Sequence, residues 1–385
     1  MKRSDPDSPS RVPDIPGQDE LLDELQELFP VTDAAAEAYV ENLPKLASRV
    51  DAHILQQPDV SELIGPCPVD VITTNHRNHG KFMGTVLGLD LPALLLRMIP
   101  WVYRIYSVRG VSFEYFPAEL SGWIEAVEAE LDPAHAEPIC GVYRWMVDHH
   151  ERMKELSRGV DVGFISEEDW SEELESLLTC LLEGDSRGAL RKAYDTTSEA
   201  SDLPEFYVNQ VQPVMYRVGD LWADGEVSVA QEHMVTAMVS RIMTGAYQRF
   251  DFFEQTKGSA LVTCAADEFH ELGARTVADL LGLDGWDTTF VGSDVPEGDF
   301  LQMAVDTRPH IVALSAAVPS HLRRLKRMVD RVRGEEALQH TRIMVGGHAF
   351  TLAPEAVLRL NVDGCAEDGR GAMRLAESWW GEGIW

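Results

Sequence analysis

The chain has 385 residues, 45% of them hydrophobic, enough for two or three cores, since single domains run to roughly 100–200 residues. A formal net charge of −31 works against binding an extended phosphate backbone, so direct nucleic-acid contact is not expected. The five cysteines (Cys67, Cys140, Cys180, Cys264, Cys365) have neither metal-type spacing nor a disulfide framework, and no apolar run approaches the ~20 residues that span a bilayer, so a cytoplasmic protein without a membrane partner is expected.

Residues 1–19 are rich in Pro, Ser and Asp and read as a disordered tail. From 20 to 160 the pattern is helical, with Leu21, Leu22, Leu25, Leu28 and Phe29 at three- and four-residue spacing. Breaks at Pro30, at Gly65-Pro66-Cys67-Pro68, around Gly88 to Pro92, at Gly110 and at Asp132-Pro133 give six or seven helices. A globin-like arrangement is one option for this all-α front domain.

Within it, Pro100 to Trp123 is dense in aromatic and basic residues, including Trp101, Tyr103, Arg104, Tyr106, Arg109, Phe113, Tyr115 and Phe116. Either the aromatics fill a helical core with arginines at its rim, or they line a pocket for a flat acidic ligand.

Residues 165–256 form a second helical block, with Glu167, Glu168, Asp169 and Glu172 at its start, where acidic groups favour the positive end of a helix. Four helices fit the span, enough for a small bundle.

From 257 to 385 the rhythm changes. Apolar runs at Ala260 to Ala265, Thr288 to Val291, Pro309 to Ser315 and Arg342 to Gly347 alternate with helical stretches at Gly273 to Leu281 and Glu355 to Leu360. This alternation predicts a Rossmann-like α/β domain whose ligands bind at the carboxyl ends of parallel strands. Arg323, Arg324, Lys326, Arg331 and Arg333 read as the solvated face of one helix.

The first of these strands runs into Asp267-Glu268-Phe269-His270-Glu271-Leu272-Gly273. A histidine here lies at the ligand edge of the sheet, and Asp267 or Glu268 can accept its second ring proton and fix the tautomer. Gly273 permits a tight turn against a ligand. Ser315, with Ala317 just beyond it, and Gly346-Gly347 end later strands on the same edge, where missing side chains leave a gap for a long ligand tail.

This set of His270 with Gly273, Ser315 and Gly346-Gly347 resembles the signature of base-off, His-on cobalamin domains. Glu268 stands where that family usually has Asp. The resemblance implies a corrinoid whose own benzimidazole swings away into the sheet while His270 ligates cobalt.

The preceding bundle, from Val214 to His233, resembles the helical cap over the upper corrinoid face. Trp222 followed by Glu232-His233 is similar to the cobalamin photoreceptors, in which these residues pack round the 5′-deoxyadenosyl group; an indole offers a flat wall for adenine, and the other two can hydrogen-bond the nucleoside. In the light-dependent repressors of that group a histidine follows the tryptophan, and here that position is Ala223.

The helical front half resembles the N-terminal region of photocobilins, which pair cobalamin with biliverdin. That implies a bilin near Tyr103, Arg104 and Arg109, with His76 and His79 as polar contacts. The resemblance as a whole implies a light sensor and not an enzyme, binding adenosylcobalamin and biliverdin and signalling as a homodimer or light-dependent oligomer, with no output domain expected after Trp385. Two rivals are a corrinoid methyl carrier, and a cobalamin sensor whose front domain binds haem through His76, His79 or His135.

Overall fold

The computed structural model describes residues 17–159, 170–250 and 254–383. The tail up to residue 16, together with Glu167, Glu168 and Asp169, lies outside the described residues. The chain divides into two compact units, Met1–Phe164 with Thr351–Pro354, and Ile165–Phe350 with Glu355–Trp385. The cap and the sheet thus belong to one unit.

The first unit is helical: α1 (Gln18–Gln26), α2 (Asp33–Leu55), α3 (Val60–Ile64), α4 (Val69–Leu89), α5 (Pro92–Val108), α6 (Tyr115–Glu130), α7 (Pro133–Asp148) and α8 (His150–Ser157). Its breaks follow local chemistry. Thr32 caps α2 by accepting from the Ala35 amide at 3.3 Å, and prolines occupy the first turns of α5 and α7, where their missing N–H costs nothing. Among the described residues, eight helices replace the expected six or seven, because α8 follows α7 without a Gly or Pro to mark the joint. The core holds Tyr39, Leu46, Val50, Ile72, Val86, Tyr115, Trp123 and Tyr143.

The second unit begins with α9 (Glu172–Leu182) and α10 (Ser186–Thr196). Next, α11 (Leu203–Phe206) runs through a wider π turn into α12 (Gln212–Ala223), and α13 (Val229–Tyr247) closes the bundle. This matches the four-helix expectation, with α11 and α12 as one continuous rod. Leu177, Phe206, Val218, Val235 and Ile242 pack its core together with Leu280 from the following domain.

There β1 (Ser259–Cys264), α14 (Leu272–Leu283), β2 (Asp287–Gly292), α15 (Glu297–Thr307), β3 (Ile311–Ser315), α16 (Leu322–Gly334), β4 (Arg342–Gly346), α17 (His348–Leu352), β5 (Gly364–Ala366) and α18 (Gly369–Glu382) build a five-stranded parallel sheet of order β2-β1-β3-β4-β5. Consecutive connections leave in opposite directions at β1 and β3, so the crevice between their carboxyl ends is the topological switch point at which such sheets bind ligands. The expected helix at Glu355 to Leu360 is instead a 3-10 segment, Pro354–Arg359. On α16, Lys326 and Arg327 make surface pairs with Asp330 and Glu297, whereas Arg324 turns to Asp267 and Arg333 to Asp363. No described helix is long and apolar enough to cross a membrane.

Candidate functional site

Cys264 ends β1, and the chain turns back through Asp267, whose φ of 65° places a non-glycine residue in the left-handed region. The turn drives the next side chain inward: Glu268 is fully buried. Its Oε1 accepts from the His270 Nδ1 at 2.6 Å and from the His270 backbone amide at 3.0 Å. Its Oε2 accepts from the amides of Ala317 and Val318 at 2.8 and 3.1 Å and from the His321 Nδ1 at 2.8 Å.

A buried carboxylate is tolerated only when so fully bonded. Burial opposes ionisation of Glu268, but hydrogen bonds from His270 and His321 outweigh it and hold the carboxyl well below the usual range. The hydrogen bond to Glu268 in turn raises the His270 pKa, and the charges of Glu268 and Glu232 add to the rise.

The geometry assigns the ring proton. With Nδ1–H committed to Glu268, Nε2 of His270 carries the lone pair, on a side chain 63% exposed at the switch point of the sheet. That is the donor a metal centre needs, presented outward. Asp267, the other candidate acceptor, turns away to pair with Arg324 at 2.6 Å.

Two flanking expectations need correction. Gly273 lies inside α14 rather than in a tight turn, and a Cβ there would meet nothing within 4 Å. Its bareness leaves open space beside the His270 loop. Gly346 and Gly347 do not leave a gap: a Cβ on Gly347 would lie 2.4 Å from the Ala316 carbonyl oxygen, and one on Gly346 2.7 Å from that of Ala366. The close approach of the chain's own strand ends demands glycine at both places, and Gly347, with φ of 104°, needs it for its backbone as well. Ser315 ends β3, its Oγ lying 3.0 Å from that same position on Gly347.

Across from this edge, Ser228 caps α13 in a reciprocal box with Gln231, which sets Glu232 in the first turn. Glu232 is 26% exposed and His233 75%, and they pair at 2.9 Å. Thr236 donates to the other Glu232 oxygen at 2.8 Å. Trp222 is half-buried at the end of α12, while Ala223 is buried.

Reading the sequence missed two histidines. His321 follows a proline turn with no spacing to flag it. His348, directly after Gly346-Gly347, packs on Tyr216 of α12 at 5.4 Å between ring centroids, and burial, aided by the charge of His270, lowers its pKa to about 4.

In the first unit His76 is fully buried, with Nδ1 2.7 Å from Asp51 and Nε2 2.8 Å from the Tyr115 hydroxyl. Both ring nitrogens are engaged within the protein, which corrects its assignment as a pigment contact. Tyr103 is also interior, stacked on Phe116 with centroids 3.7 Å apart. His79 sits between Trp123 and Tyr143. Arg109 donates to the Ile105 carbonyl, and Arg104 lies partly exposed on α5.

The B12 binding domain family matches residues 258–376, and a second B12 binding domain family matches residues 173–244. This is a cobalamin-binding protein. The two matches fall on the sheet and on the cap that the geometry had paired. The HTH-type transcriptional repressor CarH of Myxococcus xanthus is 31% identical over 103 residues, 27% of this chain and 34% of that protein. Monomethylamine corrinoid protein 2 of Methanosarcina acetivorans is 24% identical over 189 residues, 47% of this chain and 86% of its own length. The solved monomethylamine corrinoid protein of Methanosarcina barkeri superposes with a TM-score of 0.49 at 19% identity, covering 54% of this chain and 98% of its own.

The donor set fits cobalamin. His270 Nε2 would ligate the cobalt, Glu268 would fix the orientation of the imidazole, and Trp222, Glu232 and His233 would be the cap's contacts with the bound group.

Proposed function

We propose that the chain senses light through adenosylcobalamin held His-on at His270, and that it is a sensor rather than an enzyme. The observation that carries this reading is the cap: Glu232 stands close enough to His270 for its charge to be felt there, and pairs with His233 beside a half-buried Trp222. A methyl group is too small to use an indole, a carboxylate and an imidazole together, whereas a nucleoside has a face for the first and polar groups for the others.

Bound adenosylcobalamin supplies a cobalt–carbon bond that visible light breaks. The residues of this chain do the rest. His270 would ligate the cobalt, Glu268 would keep its tautomer, and the cap would pack on the adenosyl group. Loss of that group removes contacts made in only one state, so the cap shifts against the sheet and a self-association surface changes. Ala223 is buried and His233 is exposed, so His233 or water would be available to the cobalt once the adenosyl group has left.

Biliverdin is the second pigment in this reading, placed in the first unit. In this reading Arg104 and Arg109 meet its propionates. Signalling proceeds in the cytoplasm through a homodimer or larger oligomer.

The alignment with corrinoid proteins over 47% of the chain favours a second reading, a methyl carrier. One experiment separates them: bind methylcobalamin and adenosylcobalamin, then illuminate the adenosyl complex with green light, with and without biliverdin. A light sensor prefers the adenosyl form and changes its spectrum and mass. Equal affinity with no change of assembly state would support the carrier.

A further inference from the structure

We propose that Glu114, His150 and Glu151 form a binding site for a divalent transition-metal ion, with Lys154 as its built-in competitor. The site lies wholly in the first unit and does not rest on the cobalamin reading.

Glu114 immediately precedes α6, and His150 and Glu151 open α8, so two separate elements bring the three side chains together. One ligand atom from each lies within 4.8 Å of the others. Two exposed carboxylates alone would carry no meaning. The imidazole sets this group apart: its side chain is 9% exposed, and its buried Nε2 makes no hydrogen bond among the described residues. That nitrogen points at the acids, 3.6 Å from the Glu151 Oε1.

The other ring nitrogen is accounted for. Nδ1 lies 3.1 Å from the hydroxyl of Tyr103, an interior residue whose position is fixed by stacking on Phe116. When Nδ1–H donates to the Tyr103 hydroxyl, the Nε2 lone pair faces two carboxylates. Such an arrangement repels itself unless a cation lies between. A hydrogen-bonded partner behind the ligand nitrogen is also the usual support of a metal-binding histidine.

Lys154 meets half of this need. Its ammonium is 3.2 Å from Glu151 and 3.7 Å from Glu114, yet it leaves Nε2 unbonded. In that same position its Nζ lies 5.8 Å from the Phe113 ring centroid, and the side chain is partly exposed. One imidazole and two carboxylates suit Zn²⁺ or Co²⁺ over Mg²⁺ or Ca²⁺, and three protein ligands leave a position for water.

The test uses the full chain with cobalamin bound, so that His270 is engaged, and titrates Zn²⁺ against a chromophoric indicator, with Co²⁺ absorption as a second readout. One ion per chain is expected. His150→Gln should abolish that binding, Tyr103→Phe should weaken it about tenfold, and Lys154→Met should tighten it about tenfold by removing the competing charge. The Lys154 variant predicts a gain, so loss of folding cannot imitate the result. Absence of Zn²⁺ binding, binding that His150→Gln leaves intact, or an affinity that Lys154→Met fails to raise would each overturn the proposal.

Discussion

Glu268 concentrates the chemistry of the sheet edge in one side chain, and its neighbours give the sharpest tests. Glu268→Gln keeps the shape but turns an amide NH₂ toward groups that also donate, leaving buried donors unmet. Unfolding by denaturant should record a loss of about 2–3 kcal/mol, and cobalamin affinity should fall about 10–100-fold. His321→Ala removes one anchor of the carboxylate and should weaken cobalamin binding about tenfold, with His321→Gln recovering most of it; spectral titration measures both. In the sequence, the carboxylate and His270 were legible because they sit two residues apart on a loop leaving a strand. His321 was not, because its role depends on the β3 loop folding back over Glu268, 53 residues away in the chain. His76 illustrates the converse: a histidine with pigment-like neighbours proved to be tied between Asp51 and Tyr115, a pairing that only packing creates.

Among the elements, α14 joins the cap to the sheet. Arg275 donates to Ser240 at 3.1 Å and Thr244 at 2.6 Å on α13, and one turn later Asp279 accepts from the Tyr207 hydroxyl at 2.9 Å. Burial, partly offset by Tyr207 and Arg275, raises the Asp279 pKa to about 6 from 3.8. A folded-state pKa above the unfolded one means that the neutral acid favours the fold. Its contribution is whole below pH 3.8 and is lost as pH rises through about 6. Asp279→Asn should remove that pH dependence and stabilise the protein at pH 7 by up to about 3 kcal/mol, read from melting temperatures between pH 4 and 7. The long strands and helices here were legible from their apolar rhythm. The three residues of β5 were not, because Gly364–Ala366 is too short for a period-two pattern and its place is set by pairing with β4.

For the whole molecule, a net charge of −31 opposes self-association at long range. If light changes the assembly state, the larger species should gain as salt rises toward 0.3 M, where the screening length falls to several ångströms, about 6. Light scattering in the dark and after illumination, at two salt concentrations, checks this. The order of helical front, helical cap and α/β sheet was readable along the chain because composition changes at each step. The resemblance implied the pairing of cap with sheet, but the packing of Leu280 into the cap core, which holds them in one compact unit, was not readable.

The length of one side chain has a consequence for the site. Glu268 spans from the loop after β1 to the loop after β3, clasping an imidazole on each side. Aspartate at that position would be shorter by one carbon–carbon bond, about 1.5 Å, and would have to release one of those grips. The extra methylene therefore lets a single residue act as a rivet through both lips of the crevice, so that the metal-facing histidine and the start of α16 are bound to move together.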